Sequence, residues 1–147
     1  MPLSGYKSLC DSHATIIKSK DAGNPQTHYA HNRKRKLVTQ YQIDGVVIKD
    51  GNKCDFLVMN EETSNAYLIE LKGSDMVHAA KQLDETAKKL ASQLAGYFLN
   101  FRIVANKCKT QEIESTKFKK YKIDWAKKYG KNHTFKYASS STMSEDI

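Results

Sequence analysis

An apolar stripe between positions 76 and 98 is the pattern that most restricts how this chain folds. Its members recur at steps of three or four residues and are Met76, Ala80, Leu83, Ala87, Leu90, Leu94 and Phe98. This spacing places apolar side chains along one side of an α-helix. Gly73-Ser74-Asp75 precedes the stripe and offers a helix cap. We therefore predict a long helix over about residues 75–99.

Extended segments surround this helix. Val, Ile, Thr and Tyr are frequent before the stripe, and Asp50-Gly51-Asn52 is typical of a hairpin turn. The predicted strands span residues 37–48, 53–59 and 66–72, which together form an antiparallel meander. Phe101 to Ala105 is apolar and β-branched, and a strand that follows a helix can pair in parallel with an earlier strand.

The two ends of the chain give weaker patterns. Leu9, His13, Ile16 and Ile17 predict a short amphipathic helix over residues 6–18, followed by a long loop over 21–36. Near the other end, aromatic spacing predicts a helix, and a last strand follows it; the residues are Phe118, Tyr121, Trp125 and Tyr129, then Thr134 to Tyr137. We predict an α/β fold with one domain over residues 1–137 and a flexible C-terminal tail over 138–147.

Composition narrows the class of protein. The chain has 147 residues, of which 39% are hydrophobic, and its apolar runs are far shorter than the ~18 residues that span a membrane. Its three cysteines are irregularly spaced and do not describe a disulfide framework, so we expect a soluble cytoplasmic protein with reduced thiols. The net charge is +8, with basic ends around an acidic middle. This charge distribution is typical of a protein that binds a polyanion such as DNA, or of a well-solvated surface.

Three charged residues lie within the apolar strands of the predicted meander. Asp55 falls in the second strand, while Glu70 and Lys72 close the third and share one face of it. A charge inside an apolar strand is costly unless it is paired or bound to a metal. Two carboxylates and a backbone carbonyl, such as that of Leu71, make a hard oxygen site for Mg²⁺ or Mn²⁺.

Asp55 followed by Glu70-Leu71-Lys72 on the next strand resembles the PD-(D/E)xK nuclease superfamily. Gln93-Leu94-Ala95-Gly96-Tyr97 is similar to the Gln-x-x-x-Tyr motif of its RecB-like branch. The resemblance implies a restriction-endonuclease-like core, namely helix, three-stranded meander, helix and parallel strand, in a mixed sheet flanked by helices. It also implies that Asp55, Glu70 and Lys72 are catalytic, that Asp55 and Glu70 bind the metal, and that Gln93 and Tyr97 order the site or the nucleic-acid backbone. The expected first helix departs from the family because it has no Glu, and its acid is Asp11.

The leading hypothesis is a Mg²⁺- or Mn²⁺-dependent deoxyribonuclease, with a homodimer as one way to cut two strands. The basic run Arg33, Lys34, Arg35 and Lys36 is expected to contact DNA phosphates. One alternative is a catalytically silent protein on the same fold that binds nucleic acid or a protein partner. A second alternative is a zinc-stabilised nucleic-acid-binding module, since a possible ligand set occurs near the N-terminus as Cys10, His13, His28 and His31.

Overall fold

The computed structural model describes residues 3–147, so the first two residues of the predicted domain lie outside the described part. Within it the strands are β1 (Ile16–Lys20), β2 (Thr27–His31), β3 (Val38–Gln42), β4 (Phe56–Asn60), β5 (Asn65–Lys72), β6 (Phe98–Ala105), β7 (His133–Ser139) and β8 (Thr142–Asp146). The helices are α1 (Met76–Lys89), α2 (Thr110–Ile113) and α3 (Thr116–Tyr129). No helix in this part of the chain is long and apolar enough to cross a membrane.

The larger sheet has five strands in the order β3-β4-β5-β6-β7. β3, β4 and β5 pair antiparallel, whereas β6 pairs in parallel with both β5 and β7. α1 makes the crossover from β5 to β6, and α3 precedes β7. The predicted meander, the parallel strand after the helix, the aromatic helix α3 and the last strand β7 are therefore confirmed, within a mixed α/β fold.

Each face of the larger sheet is covered by a different kind of layer. On one face, residues of α1 and α3 such as Leu83 and Trp125 join the core, and the Trp125 ring stacks on that of Phe101 with centroids 4.1 Å apart. On the other face, Ile17 and Ala30 of a second sheet, β1-β2-β8, pack against apolar residues of β4, β5 and β6. Helices thus cover one face of the larger sheet, and the second sheet covers the other.

The predicted helix over residues 6–18 is not formed. Residues 16–20 form β1 instead, and they alternate between exposed and buried, with Ile17 inside the core. Leu9 is 60% exposed and Ile16 is 54% exposed, so two of the four apolar positions that suggested a helix face solvent. The predicted loop 21–36 was also partly wrong, because β2 lies within it and pairs antiparallel with β1.

The helix predicted over residues 75–99 ends ten residues early. α1 stops at Lys89, the chain turns through 90–96, and Gly96 has a φ of 87°. Leu90 and Leu94 remain buried in this turn, so the apolar spacing continues beyond the helix and does not mark its end. The following residues instead form β6, a strand buried along almost its whole length between β5 and β7.

The first strand of the meander is also shorter than predicted. β3 ends at Gln42, and the chain then folds back so that the N–H of Gly45 donates to the carbonyl of Ile48 at 3.0 Å. Gly45 has a φ of 80°, a conformation that favours glycine and interrupts a strand. β4 begins at Phe56, three residues later than expected, which leaves Asp55 just before the strand.

The predicted flexible tail over residues 138–147 is an ordered part of the second sheet. β8 pairs in parallel with β2, and Glu145 connects it to two buried side chains. The Glu145 carboxylate accepts hydrogen bonds from Arg102 Nε at 2.8 Å and lies 2.7 Å from His28 Nε2. The sequence did not predict this strand, because the segment is polar and its partners are more than forty residues away along the chain.

This anchor predicts a pH-dependent loss of stability. Burial alone would raise the pKa of Glu145, but His28 and Arg102 outweigh it and hold the pKa at about 2. Because the folded pKa is depressed, the stabilisation is present above about pH 4.5 and is lost as the pH falls towards 2. Glu145→Gln should lower the free energy of unfolding at pH 7 by about 3 kcal/mol, measured by urea denaturation.

Asp146→Asn is the matched control, since Asp146 pairs with Arg33 at the surface. That change should cost less than about 1 kcal/mol. The difference between wild type and Glu145→Gln should shrink between pH 5 and pH 3. Equal stability of the two proteins at pH 7 would contradict the proposed anchor.

Candidate active site

Asp55 is fixed beside the end of β5 by two hydrogen bonds. Its backbone N–H donates to the carbonyl of Ile69 at 3.1 Å, and its Oδ2 accepts from the N–H of Leu71 at 2.8 Å. In a strand, the N–H and C=O of one residue point the same way. The Leu71 carbonyl therefore faces the Asp55 side of β5, as the sequence-based site requires.

Glu70 lies next to Asp55 and is almost completely buried. Its side chain is 2% exposed and its carboxyl shares a hydrogen bond with that of Asp55. Its Oε1 has no hydrogen-bond partner among residues 3–147. Burial raises the pKa of Glu70 far above its usual range, and the charge of Asp55 raises it further. Burial also raises the pKa of Asp55, although the Leu71 N–H opposes this.

Lys72 points to the helix side of the same sheet end. Its Nζ donates to Gln82 Oε1 at 3.4 Å, and the Gln82 Nε2 donates to the carbonyl of Lys53 at 3.1 Å. The charge of Lys72 lowers the pKa of Glu70, so the two groups interact. Asp55, Glu70 and Lys72 thus come together at one end of the larger sheet.

Two further carboxylates belong to this cluster and were not predicted as site residues. Asp21 directly follows β1, and its side chain hydrogen-bonds to that of Asp55. Asp44 lies in the turn after β3, and its charge raises the pKa of both Asp55 and Glu70. Asp21 gave no sequence signal because it lies at the start of the predicted loop over residues 21–36.

Gln93 and Tyr97 lie away from this cluster. The hydroxyl of Tyr97 donates to Glu61 Oε2 at 2.7 Å, and the next residue, Phe98, pairs with Asn65 at the start of β5. Asn65 and Lys72 are at opposite ends of an eight-residue strand, a separation of ~23 Å. The Gln-x-x-x-Tyr segment lies in the turn between α1 and β6, so the prediction that it lies on the helix was wrong.

Gln82 and Thr86 of α1 occupy the place expected for that motif. They are four residues apart and therefore share one face of the helix. Gln82 contacts Lys72 as described, and Thr86 Oγ1 accepts from the N–H of Cys54 at 2.7 Å. Gln82 was not predicted as a site residue, because the residue four positions later is Thr86 and the Gln-x-x-x-Tyr pattern selects Gln93.

The basic run forms the turn between β2 and β3. Arg33 pairs with Asp146 at 2.8 Å, and Lys36 lies 3.9 Å from Glu62. Lys34 and Arg35 are exposed and have no ion-pair partner among residues 3–147. Part of the run is thus available to an anionic ligand.

The residues suggested for zinc do not assemble into a site. His13 Nδ1 lies 2.9 Å from the carbonyl of Arg35, Cys10 Sγ lies 3.9 Å from that of Val38, and His28 contacts Glu145. In the described part of the chain, no group of three or more His, Cys, Asp or Glu side chains is arranged to hold a metal ion.

The chain matches no protein-family model, no curated protein and no solved structure to a significant degree. The resemblance to the PD-(D/E)xK superfamily consequently depends on the residues of this chain alone. Asp55, Glu70 and Lys72 lie together at one end of the larger sheet, and the resemblance stays a prediction.

The buried carboxyl pair predicts that the protein loses stability as the pH rises. Since the folded pKa of Glu70 lies above its value in the unfolded chain, the folded state binds the extra proton, and stability falls above about pH 5. Glu70→Gln removes this ionisation and keeps a polar side chain. In EDTA at pH 9 the variant should exceed wild type in unfolding free energy by about 1 kcal/mol or more.

Thermal melts of wild type and Glu70→Gln from pH 5 to pH 9 measure how the stability of each protein depends on pH. Glu114→Gln, at an exposed position, should leave the slope of stability against pH unchanged. A Glu70→Gln variant that is less stable than wild type at every pH would contradict the buried pair.

Proposed function

We propose that this protein is a metal-dependent nuclease that hydrolyses DNA phosphodiester bonds on a restriction-endonuclease-like core. The observation that carries the proposal is the buried Glu70 Oε1, which has no hydrogen-bond partner in the described part of the chain. It lies beside Asp55 and on the same face of β5 as Lys72. Burying two carboxyl groups side by side is unfavourable for folding. A functional role is the simplest reason for a sheet to keep them.

These residues fit a divalent cation. Asp55, Glu70 and the Leu71 carbonyl would hold Mg²⁺ or Mn²⁺, because all three offer hard oxygen atoms at one edge of the sheet. When bound, the cation supplies Lewis-acid polarisation of the phosphate and makes water more acidic. Asp21 is the nearest further carboxylate and gives the cluster an additional ligand from the second sheet.

Lys72 would neutralise the negative charge that develops on the phosphate during hydrolysis. Its ammonium group is held towards the site by Gln82, which is itself fixed to the Lys53 carbonyl. Gln82 is therefore a positioning residue in this proposal. Without that contact, the flexible lysine side chain would sample more rotamers.

DNA is the proposed substrate because the chain carries a net charge of +8 and exposes Lys34 and Arg35. Phosphate contacts from such residues supply most of the affinity for nucleic acid without base recognition. The proposal includes a cytoplasmic location, where the three free thiols stay reduced, and a homodimer when both strands of a duplex are cut.

The second candidate function is a catalytically silent protein on the same fold that binds nucleic acid or a protein partner. One observation favours it: the expected first helix is replaced by β1 and β2, so no helical residue supplies a ligand there. Asp21 directly follows β1, within the segment that replaces the helix, and its side chain hydrogen-bonds to that of Asp55. For this reason we prefer the enzyme.

A metal-binding test comes first. Mn²⁺ that binds only the folded state should raise the melting temperature, with ~2.7 kcal/mol of added stability at one hundred times the dissociation constant. Asp55→Asn should abolish the shift, and Asp21→Asn should reduce it. Asp50→Asn, in the exposed turn before β4, should retain it. An unchanged wild-type melting curve in saturating Mn²⁺ would overturn the site.

Cleavage by a Lys72 variant separates the enzyme from the silent protein. Lys72→Ala should lower the rate of cleavage of labelled DNA in Mg²⁺ or Mn²⁺ by ~10²-fold or more, the scale of losing one transition-state contact. Binding should change little, because 24 basic residues share the interaction with phosphate. Lys122→Ala, which removes an exposed lysine from α3, is the control and should cut normally.

Replacing Lys34, Arg35 and Lys36 together should have the opposite effect. Binding should weaken and depend less on salt, while turnover at saturating DNA stays nearly intact. If wild type binds DNA and cuts nothing in any metal, the silent protein takes the place of the enzyme.

A further inference from the structure

The outer face of the second sheet is flat and basic, and the proposed reaction does not yet use it. In β1, Ile17 and Ser19 are buried, whereas Ile16, Lys18 and Lys20 are exposed. Strand register directs three rows away from the larger sheet, which are Ile16–His31–Asp146, Lys18–Tyr29–Ser144 and Lys20–Thr27–Thr142. Of these residues, Thr27 is buried. Directly paired residues share a face, so the central row places Tyr29 beside Lys18.

The charge of this outer face is positive. Among its nine outward positions Asp146 is the one acidic residue, and it is paired with Arg33. Lys18 and Lys20 have no ion-pair partner within residues 3–147. Their Cα atoms are ~6.6 Å apart along the strand. That spacing is similar to the phosphate repeat of an extended nucleic-acid strand.

Tyr29 gives the face an aromatic ring in its middle. The residue is half-buried, so part of it is open to solvent. A base stacked on an aromatic side chain adds ~1–3 kcal/mol to single-strand binding. Only an unpaired base presents a free ring face, because the bases of a duplex are stacked on one another.

One end of the face leads into the carboxylate cluster and the other into the basic turn. Lys20 is followed by Asp21, whose side chain bonds to that of Asp55. At the opposite end, the N–H of Asn32 donates to the carbonyl of Thr15, which holds Arg33 to Lys36 beside the start of β1. A strand lying along β1 would thus run from Lys34 and Arg35 past Tyr29 to the site.

We propose that this outer face binds single-stranded DNA and directs it into the carboxylate site. The choice of DNA rests on the proposed nuclease function, while the preference for a single strand comes from Tyr29. α3 carries more lysines, but its rings Phe118 and Trp125 are buried in the core. Its half-buried Tyr121 and Tyr129 pack against the rings of Trp125 and Phe101, whereas Tyr29 stands among the side chains of the sheet face.

Binding without cleavage tests the proposal. Fluorescence anisotropy in EDTA measures the affinity for labelled oligothymidine and for a duplex of equal length. Tyr29→Ala should weaken single-strand binding by about tenfold and leave duplex binding nearly unchanged. Tyr29→Phe keeps the ring and should bind like wild type.

Lys18→Ala with Lys20→Ala tests the phosphate contacts. The double variant should weaken single-strand binding and lower the salt dependence by ~0.7 per lysine. Lys119→Ala with Lys122→Ala removes the same charge from α3 and is the matched control, with less than about a twofold effect expected. Circular dichroism checks that each variant is folded.

Several results would overturn this surface. One is that wild type fails to bind oligothymidine, and another is that Tyr29→Ala binds it as tightly as wild type does. A third is that Tyr29→Ala loses as much affinity for the duplex as for oligothymidine. In the last case, the Lys119→Ala, Lys122→Ala variant loses more affinity for oligothymidine than the Lys18→Ala, Lys20→Ala variant. If the Tyr29 and Lys18/Lys20 variants lose binding to anionic phospholipid vesicles and keep binding to DNA, the face is assigned to a membrane surface instead. If the predicted binding pattern holds and no metal gives cleavage, the nuclease proposal fails and this surface remains.

Discussion

The burial of Asp55 and Glu70 side by side is the constraint on which the candidate site depends. Two like charges at the end of a sheet repel each other, and each loses the solvation it has in water. The Leu71 N–H offsets part of this cost through a hydrogen bond to Asp55, worth roughly 1.5–3 kcal/mol for a charged acceptor. The rest must come from the core on both faces of the sheet.

Three layers meet at this sheet end, and each contributes a different group. The larger sheet supplies Asp55 and Glu70, α1 supplies Gln82, and the second sheet supplies Asp21. Groups from separate layers stay in register only when each layer is anchored. α1 has such an anchor in Thr86, whose hydroxyl accepts from Cys54 just before Asp55.

The parts of the fold that sequence analysis predicted are those with strong local patterns. β5, β6 and α3 have apolar spacing that matches one element type over their lengths, and the position of Glu70 and Lys72 on one face follows from the strand period. β1, β2 and β8 were missed because they are short, polar and joined across the chain, so no local pattern specifies them. Asp21 was missed for the same reason, since it is brought to Asp55 by a sheet that the pattern did not predict. The prediction that Gln93 lies on the helix failed because buried Leu90 and Leu94 extend the helical spacing beyond the helix.

The anchor of β8 connects the end of the chain to the chemistry of the site. Glu145 ties β8 to Arg102 of β6 and to His28 of β2, both almost completely buried. β2 pairs with β1, and β1 leads directly to Asp21. Weakening the contacts of Glu145 with Arg102 and His28 therefore loosens the packing of the second sheet on the larger sheet. Asp55 and Glu70 keep their positions, because the backbone of β4 and β5 fixes them. The acid most sensitive to such movement is Asp21, because its strand is held from the far side of the molecule.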